Sequence, residues 1–338
     1  LIKRYKAVIF LGLWGWYAIS PPASEPQTIA PISESTGISF SQTNYHGWPG
    51  AWIISNGKVE AIIVPTVGRV MQFSLVGESG PFWENPDLFG KVPDSQAATW
   101  ANFGGDKSWP APQADWPKHI SRDWPPPAAF DSMPVSVKVE KNSLVLTSSV
   151  DAHYGIRTRR QIQLEPGATK MTIVTSYEKV AGNPVKTAVW IITQLKHPAA
   201  VFLPIVKEGH FPQGYNLQSS KAPPSLWVKD GWLALHRDEK FSFKIGSDAS
   251  TLIWIGDRFS VCIDAPRLRG AEYPDAGSST EIYTNPDPAA YVELETLGPL
   301  QILKVGDQIS STNTYYISRR VEKEVQAEAR RIYSSRTP

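Results

Sequence analysis

Cysteine occurs once, as Cys262, so the chain can close no disulfide within itself. It stands in Phe259-Ser-Val-Cys-Ile-Asp264 among apolar, strand-like neighbours, which marks a buried, inert thiol rather than a nucleophile or a metal ligand. Charge is sparse as well. Asp, Glu, Lys and Arg make up 20% of the 338 residues and hydrophobic types 41%, a balance that excludes a disordered chain. With 34 basic and 32 acidic side chains, and no basic run interleaved with aromatics, nothing in the chain suits a nucleic acid as partner. No phosphate loop, dinucleotide fingerprint or Ser-His-Asp signature appears, which argues against nucleotide-dependent, Rossmann and triad-hydrolase functions. The six histidines show no metal-ligand spacing, so neither a metal nor a cofactor is expected.

Helical periodicity is nearly absent too. Segments such as Lys58-Val-Glu-Ala-Ile-Ile-Val64, Ser143-Leu-Val-Leu-Thr147 and Lys170-Met-Thr-Ile-Val-Thr175 are short and β-branched, and turn chemistry separates them at Glu165-Pro-Gly-Ala168, Lys229-Asp-Gly231 and Val305-Gly-Asp307. Many such strands without intervening helices indicate an all-β chain, a large antiparallel β-sandwich, over residues 38–320. Only the end reads as helix. There Val321, Val325, Ala329 and Ile332 recur at near-helical spacing within residues 321–338, as a short helix docked on the sandwich.

The N-terminus reads as an export address. Lys3, Arg4 and Lys6 precede the apolar run Ala7–Ile19, which has the length of a signal h-region and is short for a membrane span. A signal peptide over residues 1–24 and a Pro/Ser-rich linker over 25–37 are therefore expected, with a periplasmic or extracellular location and no stable membrane insertion after cleavage. An uncleaved N-terminal anchor is the alternative.

Two stretches carry chemistry. In Tyr291-Val-Glu-Leu-Glu-Thr-Leu-Gly-Pro-Leu300, strand alternation sets Tyr291, Glu293 and Glu295 on one face and Val292, Leu294 and Thr296 on the other. Charged residues are depleted in strands, so a face bearing two carboxylates either meets solvent or holds a ligand. The strand pattern then lapses between residues 77 and 133, a stretch that holds Trp83, Trp100, Trp109, Trp116 and Trp124. Tryptophan at that density argues for an ordered loop packed over the sandwich. Its centre, Asn102-Phe-Gly-Gly-Asp-Lys-Ser-Trp-Pro-Ala-Pro-Gln113, joins a flexible diglycine to an amide, a carboxylate, an ammonium and an indole. Such groups suit a saccharide, with polar atoms for vicinal hydroxyls and an aromatic plane for the apolar face of a pyranose. The alternative is that the tryptophans anchor the core and Asp106 and Lys107 form a surface pair.

Taken together, these two motifs resemble a bacterial family catalogued as a domain of unknown function, itself similar to the galactose mutarotase-like superfamily; the likeness spans about residues 40 to 320. The resemblance implies a β-supersandwich and a mono- or oligosaccharide ligand. By likeness to the first hairpin of aldose 1-epimerases, Arg69 matches a sugar-contacting position. Leu294-Glu-Thr296 resembles the motif carrying the mutarotase base, which makes Glu295 the candidate base with Glu293 beside it. The strand Val189-Trp-Ile-Ile-Thr-Gln-Leu-Lys-His197 stands where mutarotases carry a catalytic histidine. The match is imperfect, so His197 is the candidate acid while Gln194 is a candidate for binding. Epimerisation at an anomeric carbon needs a base on the O1 proton and an acid on the ring oxygen together, each within hydrogen-bond reach.

Two functions stay open at this point. One is an aldose 1-epimerase-like enzyme using Glu295, Glu293 and His197. The other is a binding protein that holds a saccharide through Arg69, Asn102, Asp106, Lys107, Trp109, Gln113 and Gln194 without turnover. A glycosidase fits less well, because two carboxylates roughly 6–7 Å apart on one strand approach a substrate from one side rather than flanking its bond. The discriminating feature is whether a histidine faces Glu295 across the cleft.

Overall fold

Alternation of apolar and polar side chains along the strands sorts them into two layers with one core between them. A computed structural model describes residues 37–95, 97 and 99–336; the expected leader and nearly all of the linker lie outside the described residues. Among the described residues the chain forms an eleven-stranded and a ten-stranded antiparallel sheet, packed as a sandwich. The inward faces bury Ile54, Ile63, Phe73, Leu195, Val292 and Leu294 from the first sheet against Leu144, Ile162, Ile173, Val261 and Ile317 from the second. At about 25 cal/mol per Å² of apolar area, that interface is the main source of stability.

Five strands of the larger sheet matter for function. In spatial order they are Asp106–Ala111, Val185–Lys196, Tyr291–Leu297, Thr280–Thr284 and Phe243–Ser247, each hydrogen-bonded to the next. The register places Ile192 opposite Glu295, Gln194 opposite Glu293, Glu281 opposite Glu295, and Tyr283 opposite both Glu293 and Lys244. Residues whose side chains share the face turned away from the smaller sheet are thereby fixed across five strands at once.

The centre of the 77–133 segment is not a covering loop, because Asp106–Ala111 is a strand inside the sheet, paired along its length with Val185–Lys196. Charge at Asp106 and Lys107 and a proline at 110 disguised it. Proline is tolerated because pairing with the neighbour on the other side, Arg69–Leu75, is confined to Val70 and Asp106, which leaves the outer edge at Pro110 without a partner strand. The diglycine is not a flexible joint either. Gly104 and Gly105 hold φ of +90° and +72°, and a Cβ at either would come within 2.2 Å of the Trp83 carbonyl oxygen or 2.7 Å of that of Val70. They allow the chain to pass close to its neighbours as it enters the strand. The Asp230-Gly231 hairpin forms as its sequence indicates, with φ of +51° and +77° closing Trp227–Lys229 onto Trp232–Leu235.

The terminal helix spans Val325–Ser335 and starts four residues later than the apolar spacing suggests, because the Glu324 carboxylate caps it by accepting from the N–H groups of Gln326 and Ala327. Ala329 and Ile332 pack against Ile253 and Cys262 of the smaller sheet, and Cys262 is fully buried. Glu328 fastens the helix by accepting from Ser260 at 2.6 Å and from the backbone of Val321 and Glu322. Burial alone would raise its carboxyl, but Arg331, Ser260 and these amides outweigh it and hold the group at about 2. A carboxylate depressed in the folded state stabilises fully above its unfolded value of 4.5, and that contribution is lost as pH falls toward 2. Glu328→Gln is therefore expected to flatten the decline of stability over that acid window, read from urea midpoints; an unchanged decline contradicts the fastening role.

Candidate functional site

Side chains projecting from the concave face of the larger sheet enclose a cavity of about 380 Å³. The size falls within the roughly 300–1,000 Å³ of small-molecule sites. Its walls are Trp100, Trp109, Trp124 and Trp190 with Tyr283 and Tyr291, and its polar groups are Gln113, Lys244, Asn285, Glu293 and Glu295.

The aromatic wall is built round one ring. Trp109 meets Trp100, Trp116, Trp124 and Trp190 edge-on, at centroid distances of 5.4–5.7 Å. Indole N–H groups tie the wall to the protein and leave ring surface for a ligand. Trp100 and Trp109 donate to the two oxygens of Asp131 at 2.9 and 3.0 Å, and Trp190 donates to Glu295 at 2.7 Å. Arg69 in turn pairs with Asp131 at 2.7 Å and donates to the Gly104 carbonyl at 2.9 Å. Trp124 is the exception. It is 40% exposed and stands at the cavity mouth against Trp100 and Trp116.

The floor is ionic. Lys244 lies 2.7 Å from Glu281 and 3.0 Å from Glu295, with its ammonium 4.7 Å above the Trp190 ring. Burial works against the charge of Lys244, but the two carboxylates outweigh it and raise the ammonium above the ordinary lysine range. Glu295 shifts upward as well, chiefly because it is buried; Lys244 opposes the rise, and Glu281 and Glu293 add to it. Two strands from Glu295, Lys107 lies 3.6 Å from Glu293 and beneath Trp100 and Trp109, where burial draws it down to about 8 against the pull of Glu293. Gln194 donates to Glu293 at 2.9 Å. Among the charged atoms here, Glu295 Oε1 and Lys107 Nζ are buried without a hydrogen-bond partner, and Glu281 Oε2 meets only the Lys244 ammonium, as an ion pair.

The residues singled out from the sequence divide into two groups. Glu293, Glu295, Trp109 and Gln113 line the cavity, with Lys107 and Gln194 packed directly behind its lining. Asn102 lies beside Tyr291 at the rim, where its carbonyl accepts from Asn85. Three others point elsewhere. Arg69 is fully buried in its pair with Asp131, so it props the tryptophan wall instead of meeting a ligand. Asp106 is also fully buried, and it faces the opposite sheet, where it pairs with Arg160 and accepts from Thr193 and Tyr315, each at 2.6 Å. His197 follows its strand and accepts from Arg237 at 2.7 Å, away from the cavity lining. Its imidazole is lowered by burial and by Arg237.

Among the described residues no histidine lines the cavity. Nor, among the described residues, do three or more His, Cys, Asp or Glu converge as a metal site; Asp264 and Glu272 are paired with Arg336 and Lys186. Sequence reading missed Lys244, Glu281, Tyr283 and Asn285. A signal was present in Thr280-Glu-Ile-Tyr-Thr-Asn285, which alternates a carboxylate and a tyrosine against apolar and small residues.

Comparisons with known proteins bear on the fold. No family model matches the chain, and no curated protein matches it in sequence, so the likeness to a domain of unknown function rests on the two motifs alone. Solved structures are similar. A candidate aldose 1-epimerase from Klebsiella pneumoniae superposes with a TM-score of 0.55 at 13% identity, covering 88% of each chain. A galactose mutarotase-like protein from Lactobacillus casei gives 0.54 at 9% identity, over 80% of this chain and all of that one. Another from Clostridium acetobutylicum gives 0.51 at 9% identity, over 83% of this chain and 99% of that one. At these identities the likeness speaks for architecture and not for activity. The chain has the galactose mutarotase-like β-sandwich fold.

Proposed function

We propose that the concave cavity binds a saccharide. The observation that carries this reading is the combination of an indole wall with a floor of carboxylate, ammonium and amide groups at monosaccharide scale. A pyranose presents an apolar C–H face and a ring of hydroxyls, and each finds a counterpart here. The indole N–H groups of Trp100, Trp109 and Trp190 are already engaged, so these rings are held in place before a ligand arrives and ordering them costs little. The fold of the superposed sugar-epimerase-like proteins is compatible with this reading, and the apolar leader-like run after Lys6 supports an exported setting.

Binding without turnover is preferred over epimerisation because the histidine expected to act as the acid stands outside the cavity lining. His197 is engaged with Arg237 outside the cavity lining, and no other histidine faces Glu295. One observation favours chemistry as a second reading: Glu295 lines the cavity, and burial raises its proton affinity above the ordinary carboxylate range, as a general base requires. The two readings separate on Glu295→Gln, which keeps shape and hydrogen-bonding reach but cannot take the proton. For a binding protein the wild type leaves anomer interconversion at the buffer rate, and the substitution changes saccharide affinity alone. For an epimerase the wild type accelerates interconversion, and the substitution lowers that rate roughly 10²-fold or more. Polarimetry on freshly dissolved aldoses reads the rate, and isothermal titration reads the affinity.

A further inference from the structure

Carboxylates outnumber ammonium groups around this cavity. Glu281, Glu293 and Glu295 stand on two adjacent strands, whereas Lys244 and Lys107 are the cations that reach them. Arg69 and Asp131 neutralise each other and leave the balance unchanged. A fourth carboxyl, Asp275, lies beside Glu281, and burial together with Glu281 pushes it up to about 6. Buried like charges of this kind are relieved by protons or by a cation.

Lys244 shows how such a cation is received. Its ammonium sits between two carboxylates and 4.7 Å above an indole face. Next to it, Glu293 and the Trp109 ring already meet Lys107, at 3.6 and 5.0 Å, and the unmet capacity lies on Glu295. Glu295 Oε1 is a buried acceptor with no donor, on a side chain that itself lines the cavity. Glu293 projects from the same strand face two residues away, and Tyr283, Tyr291 and Trp109 supply aromatic surface around the pair. An orphaned carboxylate oxygen beside electron-rich ring faces is matched by a primary ammonium, which brings three donors and a positive charge. A hydroxyl brings one donor and no charge.

Resting on the saccharide reading above, we propose that the ligand is an amino sugar whose ammonium docks between Glu293 and Glu295 against the aromatic wall. N-acetylation removes the charge and adds bulk, so the free amine is the form recognised.

Isothermal titration of the protein tests this with five probes: D-glucosamine, 6-amino-6-deoxy-D-glucose, D-glucose, N-acetyl-D-glucosamine and methylammonium. At least one amino sugar is expected to bind about tenfold or more tighter than glucose and N-acetylglucosamine. In Glu293→Gln, with its folded state verified by thermal melting, that preference is expected to shrink to about threefold or less. If neutral sugars bind as tightly as both amino sugars, the ammonium assignment is overturned while the saccharide reading stands. If methylammonium binds and no sugar does better, the saccharide reading falls and the cation site survives it. Absence of binding by all five overturns both.

Discussion

Trp109→Ala is expected to destabilise the protein by about 3–5 kcal/mol and to abolish saccharide binding, the loss of a buried indole being among the largest single-residue effects in a core. Trp109 is 4% exposed and meets four other tryptophans, so its removal takes away ring contacts in four directions. It also deprives Asp131 of a donor, on a carboxylate that anchors both Trp100 and Arg69. Trp100, Trp116 and Trp190 cannot close the gap without giving up their own N–H bonds. A urea midpoint that falls with an unchanged slope is the expected reading, together with flat tryptophan fluorescence on saccharide titration. A variant of near wild-type stability would show that the wall does not depend on its central ring.

Asp106→Ala is expected to be as damaging to stability and yet irrelevant to the ligand. Asp106 bridges the two sheets, receiving Arg160 and Tyr315 from one and Thr193 from the other. Removing the carboxylate strands a guanidinium that is 4% exposed, and breaking a buried pair by deleting one partner costs about 3–5 kcal/mol. Pairing the change with Arg160→Met removes the stranded charge and is expected to recover a substantial part of the loss, because the penalty belongs to the unpaired cation. Folded Asp106→Ala should bind saccharide as the wild type does, since the carboxylate faces away from the cavity. Stability within about 0.5 kcal/mol of wild type combined with lost binding would return Asp106 to the site.

The contrast between Asp106 and its neighbours shows what the sequence could and could not disclose. Alternation along Tyr291–Leu297 was legible because strand period is local, and it correctly set Glu293 and Glu295 on one face. The same rule separates Asp106 from Lys107 and Trp109, but it applies only once residues 106–111 are known to be a strand, which Pro110 and two charges concealed. Arg69 stands outside the cavity lining for a different reason. Its partner Asp131 lies 62 positions away, and nothing local distinguishes an arginine that holds a ligand from one that braces a wall. Lys244, Glu281 and Tyr283 enter the site only through the spatial order of the strands, which no local pattern encodes. The two-layer architecture was legible because turn residues and alternation repeat along the whole chain.

The central claim, that this cavity is where a saccharide is held, is tested most directly by a crystal structure of the protein soaked with a saccharide that binds in solution. A pyranose is expected in the cavity, with its apolar face against Trp109 or Trp190 and a polar group donating to Glu295 Oε1. Density for the sugar elsewhere on the sandwich, with the cavity holding only solvent, would contradict it.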